Sequence, residues 1–224
     1  MKRIKLSDRK LPKYTKGEEI FNMVSHIVGG VMGITAITLC SYFAAIDGNI
    51  YGVISGVIFG VTMLLLYAMS SIYHGLKPET MVKKVFQIID HCSIFILIAG
   101  TYTPIALCTL REYSTVQGWV LFGIIWAMAC LGIVLNSIDL KKYKIFSMIC
   151  YLVMGWCIIV RINVVIEMLG IAAFILLLSG GIAYTVGALF YGIGKKRKWM
   201  HSVFHVFCVI GSLLHFLLIL LYVM

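Results

Sequence analysis

Long apolar runs, separated by short polar connectors, fill most of this sequence and limit what it can fold into. A helix needs about 20 predominantly apolar residues to cross a bilayer. Runs of roughly this length occur at seven places, which are residues 19–45, 50–74, 85–108, 116–137, 143–160, 164–191 and 200–223. Hydrophobic residues make up 61% of the chain and charged residues only 12%, whereas about a quarter of a soluble domain is charged. The sequence therefore predicts an all-α membrane protein, a bundle of seven transmembrane helices.

The basic residues indicate how the predicted helices are oriented. Of the 19 lysines and arginines, 17 fall in the N-terminal tail or in the second, fourth and sixth connectors. The remaining two, Arg111 and Arg161, fall in the third and fifth connectors. Because Lys and Arg in short loops stay on the cytoplasmic side, the N-terminus is predicted to be cytoplasmic and the C-terminus outside. The same bias accounts for the net charge of +10, so no nucleic-acid partner is expected.

The domain organisation follows from the lengths of the connectors. A basic cytoplasmic tail, residues 1–18, is predicted to precede one seven-helix domain, residues 19–224. Small residues four apart let membrane helices approach closely, which predicts tight packing within the chain around the glycines of the first two helices. These glycines are Gly29, Gly33, Gly52, Gly56 and Gly60. The expected location is the plasma membrane, with several crossings, and the oligomeric state is left open.

Polar and ionisable side chains gather at one depth of the predicted bundle. Such groups are costly inside a membrane and usually face a cavity or one another. With the predicted topology, the cytoplasmic ends of four helices hold five of the six histidines and the one acidic residue that lies clearly inside a span. The polar set consists of Glu19, Asn22, His26, Ser70, His74, Asp90, His91, His201 and His205.

Three of these histidines have the spacing expected of a metal site. His201 and His205 are four residues apart and share one helix face. A rise of about 1.5 Å per residue brings His205 to the level that Ser70 reaches on the antiparallel second helix. A catalytic zinc keeps three protein ligands and leaves one position for water. The predicted Zn²⁺ ligands are therefore His74, His201 and His205.

Asp90 and Ser70 are the predicted catalytic residues beside this metal. A bare carboxylate is costly in lipid, but beside a metal-activated water Asp90 can orient the water or take its proton. The Ser70 hydroxyl is expected to hydrogen-bond the water, the substrate or Asp90. Since consecutive helical residues point about 100° apart, His91 and Asp90 cannot face one centre equally, and Asp90 is expected to face inward.

Other arrangements fit the same residues. The histidines can join helices in a polar network without metal, or they can form a proton relay. Glu19, Asn22 and His26 lie on one stripe of a helix, which fits a support behind the ligands, a substrate entrance or an interfacial helix start. His215 lies too deep to join the others, and a buried hydrogen bond between helices is expected for it.

The same residues carry a resemblance to a known family. The segment EEIFNMVSH resembles its opening motif, SSIYH and DHCSIFILIAGTYTP resemble its middle motif, and HSVFHVF with His215 ten residues after His205 resembles its closing motif. On these motifs, from residue 19 to residue 215, the chain resembles the hemolysin III family. That family is the bacterial branch of the progestin and adipoQ receptor group, which includes the adiponectin receptors.

The resemblance implies seven spans, zinc held by His74, His201 and His205, a water held by Asp90, and Ser70 alongside. It implies a zinc-dependent hydrolase acting on a membrane lipid as substrate, through an amide or ester bond, since the adiponectin receptors are implied to hydrolyse ceramide-type amides. The bacterial family name implies a pore-forming cytolysin instead, and a receptor-like protein with structural zinc is a third reading. The receptors carry a long soluble N-terminal region where this chain has a basic tail, so peptide-hormone signalling is not expected.

Overall fold

Helices account for nearly all of the computed structural model, which describes residues 5–194 and 197–224. Within these residues there is no strand, so the predicted all-α class is confirmed. Residues 1–4 of the predicted basic tail, and Lys195 and Lys196 of the sixth connector, lie outside the described residues. The main helices are α1 (Lys16–Ile46), α2 (Ile50–Gly75), α3 (Met81–Pro104), α4 (Thr115–Asp139), α5 (Lys144–Trp156), α6 (Ile162–Ile193) and α7 (Met200–Tyr222).

Side-chain caps determine where the first three helices begin. Thr15 and Glu18 form a capping box at the start of α1, in which each side chain bonds the other residue's backbone N–H. The side chains of Asn49 and Thr80 accept backbone N–H bonds at the starts of α2 and α3. Because of its cap, α1 begins at Lys16, three residues before the predicted span.

Six helical segments of the described chain are long and apolar enough to cross a membrane. They are Lys16–Ile46, Ile50–Gly75, Met81–Tyr113, Thr115–Asp139, Lys144–Ile193 and Met200–Tyr222. Five of them correspond to single predicted spans. The segment Lys144–Ile193 has 50 residues and contains both the fifth and the sixth predicted spans. Its internal geometry therefore decides how the chain passes from α5 to α6.

The predicted connector between the fifth and sixth spans, residues 161–163, falls beside an interruption of the α-helix. A 3₁₀ segment, Cys157–Arg161, separates α5 from α6. The backbone leaves the helical conformation again at Gly170, with φ 82° and ψ 173°. Glycine reaches this region without the steric cost of a Cβ atom. Arg161 is the last residue of the 3₁₀ segment and is exposed.

Contacts across Lys144–Ile193 show that α5 lies against the C-terminal part of α6. The ammonium of Lys144 lies 5.4 Å from the centre of the Tyr191 ring. Twelve residues later, Trp156 Nε1 donates a hydrogen bond to Thr185 Oγ1 at 3.0 Å. The contact partners move backwards along α6 as α5 advances, so α5 and this part of α6 run in opposite directions.

Helix α3 is the centre of the bundle. In the segment Met81–Tyr113, 83% of the most apolar stretch is buried inside the protein, compared with 22–50% in the other apolar segments. Helices α2, α4 and α5 pack against α3, and α7 packs between α6 and α1. Beyond Pro104 the helix widens into a π-helical segment, Ile105–Leu110, where the missing proline N–H interrupts the regular hydrogen bonds.

Glycines hold α1 and α2 together at close range, as the spacing of small residues predicts. A Cβ atom added at Gly33 would lie 2.7 Å from the backbone nitrogen of Leu64, and one added at Gly60 would lie 2.5 Å from that of Ile37. These distances are shorter than van der Waals contact, so only glycine fits without movement of a backbone. The outer faces of the two helices carry exposed apolar side chains such as Val31 and Ile54, which is the arrangement that lipid requires.

We predict that Gly60→Ala lowers the free energy of unfolding by about 1–3 kcal/mol, because the added methyl group must push the α1 backbone away. Thermal unfolding in detergent measures this loss. Gly123→Ala in α4 is the matched control, since a Cβ atom there has no neighbour within 4 Å. Equal stability of the two variants would contradict the close-packing argument.

Candidate metal centre

Three histidine rings from two helices meet near the ends of α2 and α7. His74 belongs to the last turn of α2, and His201 and His205 belong to the first turns of α7. One ring nitrogen from each residue lies within 4.8 Å of the others, and Nε2 of His201 is 3.1 Å from Nε2 of His205. Two nitrogens bound to one tetrahedral zinc at about 2.05 Å lie roughly 3.3 Å apart. The three predicted ligands therefore form a group that could hold a metal ion.

The orientation of the His74 ring is set by Glu19 of α1. Nδ1 of His74 lies 2.6 Å from Oε2 of Glu19, and a carboxylate only accepts, so Nδ1 carries the proton. Nε2 of His74 is then a lone pair, and it is buried without a hydrogen-bond partner among the described residues. A carboxylate that orients a metal-binding imidazole in this way is a common feature of metal sites. The donor set fits a zinc ion.

The second oxygen of Glu19 binds a buried lysine. Lys83 donates from Nζ to Oε1 of Glu19 at 2.7 Å and to the carbonyl of Leu76 at 3.0 Å. Only 2% of the Lys83 residue is exposed. A buried ammonium and carboxylate compensate each other's desolvation when their hydrogen bonds are satisfied. The pair therefore keeps Glu19 ionised and in place behind His74.

His26 of α1 lies against the cluster without joining the ligand group. Its ring stacks on His205, with centroids 3.7 Å apart and planes inclined by 22°. The edge of Tyr67 packs against its other side at 4.9 Å. Asn22, one turn earlier, is fully buried. The stripe of Glu19, Asn22 and His26 thus faces the site. Of the three uses considered for this stripe, the contact between Glu19 and His74 favours support behind a metal ligand.

The N-terminal tail covers the cluster. The Tyr14 ring stacks on His201 at 4.8 Å and lies 5.7 Å from the ring of His74. Burial raises the pKa of the Tyr14 phenol above its ordinary value, so the ring stays neutral. The tail is anchored nearby, because Lys84 Nζ donates to the backbone carbonyl of Ser7. The described part of the predicted basic tail therefore packs over the histidines.

The start of α7 is held in place by α1. Trp199, the residue before the helix, adopts a left-handed backbone conformation with φ 65°, which is strained for a bulky side chain. Its N–H donates to Oε1 of Glu18 at 2.6 Å. Glu18 thus caps α1 through Thr15 and also fixes the entry into α7. This contact sets the level at which His201 and His205 enter the bundle.

Asp90 and Ser70 line the same cavity as His201 and His205. Ser70 and His74 are among the groups with which the Asp90 carboxyl interacts, and Oδ2 of Asp90 lies 3.4 Å from Nδ1 of His91. His91 stands outside the three-histidine group, since its Nδ1 donates to the carbonyl of Gln87 at 2.9 Å. His91 also lines the cavity beside Asp90.

The cavity continues from the cluster into the apolar interior. Its apolar walls come from α3, α5, α6 and α7 and include Leu97, Ile98, Leu152, Ala188 and Phe204. His215 also lines it, and Nε2 of His215 bonds the carbonyl of Leu177 at 3.2 Å. The expected hydrogen bond between helices is thereby confirmed for His215.

The sequence analysis did not identify two residues of the site, Lys83 and Tyr14. Lys83 was grouped with the cytoplasmic charges, although it lies seven residues before Asp90 on one stripe of α3, which could have marked it as inward-facing. Tyr14 lies in the tail, where no helical period applies. Its stacking on His201 depends on how the tail folds back, and no local pattern signals that.

We predict that Glu19→Gln weakens metal binding about 10–100-fold, since the neutral amide no longer fixes the His74 tautomer or balances Lys83. Competition with a graded series of chelators measures the affinity. The neighbouring change Glu18→Gln is the control. Its single amide oxygen can replace only one of the two carboxylate oxygens that accept from Thr15 and Trp199. It therefore disturbs the same helix start but leaves the contact between Glu19 and His74 in place. Equal loss in both variants would show that Glu19 acts on the fold and not on His74.

Comparison with known proteins places this sequence in a family. The model of the family described as Haemolysin-III related matches residues 14–216. Hemolysin-3 of Bacillus cereus is 39% identical over 207 residues, 92% of each chain. The Hemolysin-3 homolog of Bacillus subtilis (strain 168) is also 39% identical, over 93% of this chain and 96% of its own. The human Monocyte to macrophage differentiation factor is 24% identical over 71% of this chain and 66% of its own. With its six apolar helical segments, the chain is therefore a multi-pass membrane protein that belongs to the haemolysin-III related family.

Proposed function

We propose that this protein is a zinc-dependent intramembrane hydrolase that acts on a lipid amide or ester. The observation that carries the proposal is the group formed by His74, His201 and His205. It lies beside a cavity that His201, His205, Asp90 and Ser70 line. Structural zinc sites are usually closed by four protein ligands, whereas catalytic sites keep three and leave a position open. A three-histidine group that faces a cavity fits the catalytic pattern.

Each polar residue has a separate role in the proposed reaction. His74, His201 and His205 hold the zinc, which when bound supplies a Lewis acid and lowers the pKa of a water toward about 7. The Asp90 carboxylate receives a proton from the attacking water and passes it to the leaving group. The Ser70 hydroxyl donates a hydrogen bond to Asp90 or to the substrate carbonyl. Glu19 and Lys83 keep His74 in position throughout.

The walls of the cavity support a lipid as substrate. Beyond the polar cluster the lining is mainly apolar, and a hydrocarbon chain gains about 0.8 kcal/mol for each methylene buried there. Leu152 and Gly155 of α5 line the cavity and are also exposed, so we infer that the cavity opens beside this helix. A lipid chain can therefore enter sideways from the bilayer, with its amide or ester bond at the level of the histidines.

The proposed topology has seven crossings, a cytoplasmic N-terminus and an outer C-terminus in the plasma membrane. Two observations support it. The 50-residue segment Lys144–Ile193 leaves the helical conformation at Gly170, and α5 runs opposite to the later part of α6. Counting that segment as two crossings keeps the basic connectors on one side, as positive residues in short loops require.

We predict about one zinc ion per purified chain, and a loss of that metal in His201→Ala because one of three ligands is removed. Elemental analysis after gel filtration measures the ratio. His91→Ala is the control, since His91 lies outside the ligand group and should leave the metal in place. A wild-type protein that folds normally without metal would reject the site.

We predict that Asp90→Asn keeps the metal but lowers the rate of lipid hydrolysis by about 10²–10⁴-fold, the range that a positioned general base contributes. Fatty acid released from a ceramide-type amide in nanodiscs, quantified by mass spectrometry, provides the rate. Metal content is measured on the same sample. Full activity in Asp90→Asn would remove Asp90 from the mechanism.

A membrane-lytic activity is the second candidate, because two relatives carry the name Hemolysin-3. A water-filled pore needs polar groups that remain free to bind water along its length, whereas the deeper cavity of this chain is lined mainly by apolar side chains. Dye leakage from liposomes separates the two candidates. Leakage that persists in Asp90→Asn and His201→Ala would favour lysis, and a metal that stabilises the fold without turnover would favour a receptor-like role.

A further inference from the structure

His201 is the member of the histidine group whose ring is held least firmly by the rest of the protein. Glu19 fixes the ring of His74, and His205 is buried with its ring stacked on His26. His201 is partly exposed, and in the described chain its side chain has one hydrogen-bond contact, from Nε2 to Nε2 of His205. Once both nitrogens bind a metal ion, neither carries a proton, so that contact no longer orients the ring.

Aromatic contacts must therefore orient His201. Apart from the other two ligands, three rings of the described chain lie near it, those of Tyr14, Tyr191 and Phe204. The planes of Tyr191 and Phe204 are inclined to the imidazole by 53° and 43°, at centroid distances of 5.8 and 5.6 Å. Tyr14 is closer, at 4.8 Å, and nearly parallel, at 20°. Of the three, this contact alone is a stack across the face of the ring, which rotation of the imidazole would break.

Tyr14 reaches this position because the tail is attached to the bundle on both sides of it. On one side, Thr15 caps α1. On the other side, Leu11 is buried, and the backbone carbonyl of Ser7 accepts a hydrogen bond from Lys84 of α3. Residues 9–15 form no regular secondary structure, so contacts with the bundle hold the stack in place.

We propose that Tyr14 is a positioning residue for the metal ligand His201, and that docking of the N-terminal tail is therefore coupled to metal binding. The inference rests on the metal centre of the proposed function, but it does not depend on hydrolysis. Tyr14 acts through the imidazole and needs no contact with the metal. Because the coupling of two binding equilibria is reciprocal, a tail that strengthens metal binding is itself held more tightly when the metal is bound.

The type of contact determines which part of Tyr14 matters. A ring that stacks on the face of an imidazole leaves the in-plane lone pairs and N–H groups of that imidazole available. The phenol hydroxyl takes no part in the stack. Tyr14→Phe should therefore retain the role of the residue, and Tyr14→Leu should lose it.

The first test measures the zinc affinity of the full chain in nanodiscs by competition with chelators. Tyr14→Leu should bind zinc about 2–10-fold more weakly than the wild type, the range that an aromatic pair contributes, whereas Tyr14→Phe should bind as tightly as the wild type. Tyr42→Leu is the matched control, since Tyr42 is exposed. It lies 16 residues after His26 on α1, which is about 24 Å along the helix axis.

Two further measurements separate positioning from a general loss of stability. The ligand-field spectrum of bound Co²⁺ reports the geometry of the ligands, so it should change in Tyr14→Leu and keep the wild-type form in Tyr14→Phe. Lys84→Met releases the tail from Ser7 while Tyr14 remains, and it should also weaken zinc binding. Because Lys84 acts through Tyr14, the double variant Tyr14→Leu with Lys84→Met should bind no more weakly than Tyr14→Leu alone.

The reciprocal effect is measured on the tail. Lys13 is exposed and immediately precedes Tyr14, so the rate of trypsin cleavage after Lys13 reports release of the tail from the bundle. Removal of the metal with a chelator should speed this cleavage about 2–10-fold in the wild type, the same factor as for the affinity. The same treatment should leave the cleavage rate of Tyr14→Leu unchanged.

Equal zinc affinity of Tyr14→Leu and the wild type, or a loss that Tyr14→Phe shares, would overturn the inference, and so would tail cleavage that does not respond to the metal. A wild-type protein that binds no zinc would overturn both this inference and the proposed function. Zinc binding that depends on the Tyr14 ring, without hydrolysis of a ceramide-type amide, would support the positioning role and contradict the hydrolase alone.

Discussion

The candidate site depends on the pairing of Glu19 with His74 and Lys83. One carboxylate from α1 receives a ring N–H from α2 at 2.6 Å and an ammonium from α3 at 2.7 Å. In water such bonds compete with solvent, but in a bilayer an unsatisfied polar group has no alternative partner. The three helices are therefore tied at one level, and that level is where α7 brings in His201 and His205.

Polar groups in this protein are graded with depth. At the cluster, several ring nitrogens have no hydrogen-bond partner within the described residues, which is the state expected of atoms that bind a metal or a substrate. Deeper in the cavity, the hydroxyl groups of Thr101 and Tyr102 donate hydrogen bonds to backbone carbonyls, and the walls are mainly apolar. Under the proposed function and topology, this gradient corresponds to reacting groups at the cytoplasmic ends of the helices and hydrocarbon binding below them.

Much of this could be predicted from the sequence. The spacing of His201 and His205, and the depth they share with His74, predicted the three-histidine group that the structure contains. The stripe of Glu19 and His26 was also found to face the cluster. The burial of Lys83 could not be predicted with the same ease, because a lysine near a helix start looks like any other cytoplasmic charge. Its burial depends on the position of Glu19, 64 residues earlier.

The sequence by itself determined the helical class, the grouping of ionisable residues at one depth and the membership of His74, His201 and His205 in one cluster. It could do so because the period of a helix and the cost of charge in lipid are local properties. Only the tertiary structure decided that the chain leaves its helical conformation at Gly170 and that Tyr14 folds over His201. These features depend on how separate segments pack, and the physical reason is that a backbone angle or the orientation of a ring is constrained by neighbours that are remote in the sequence.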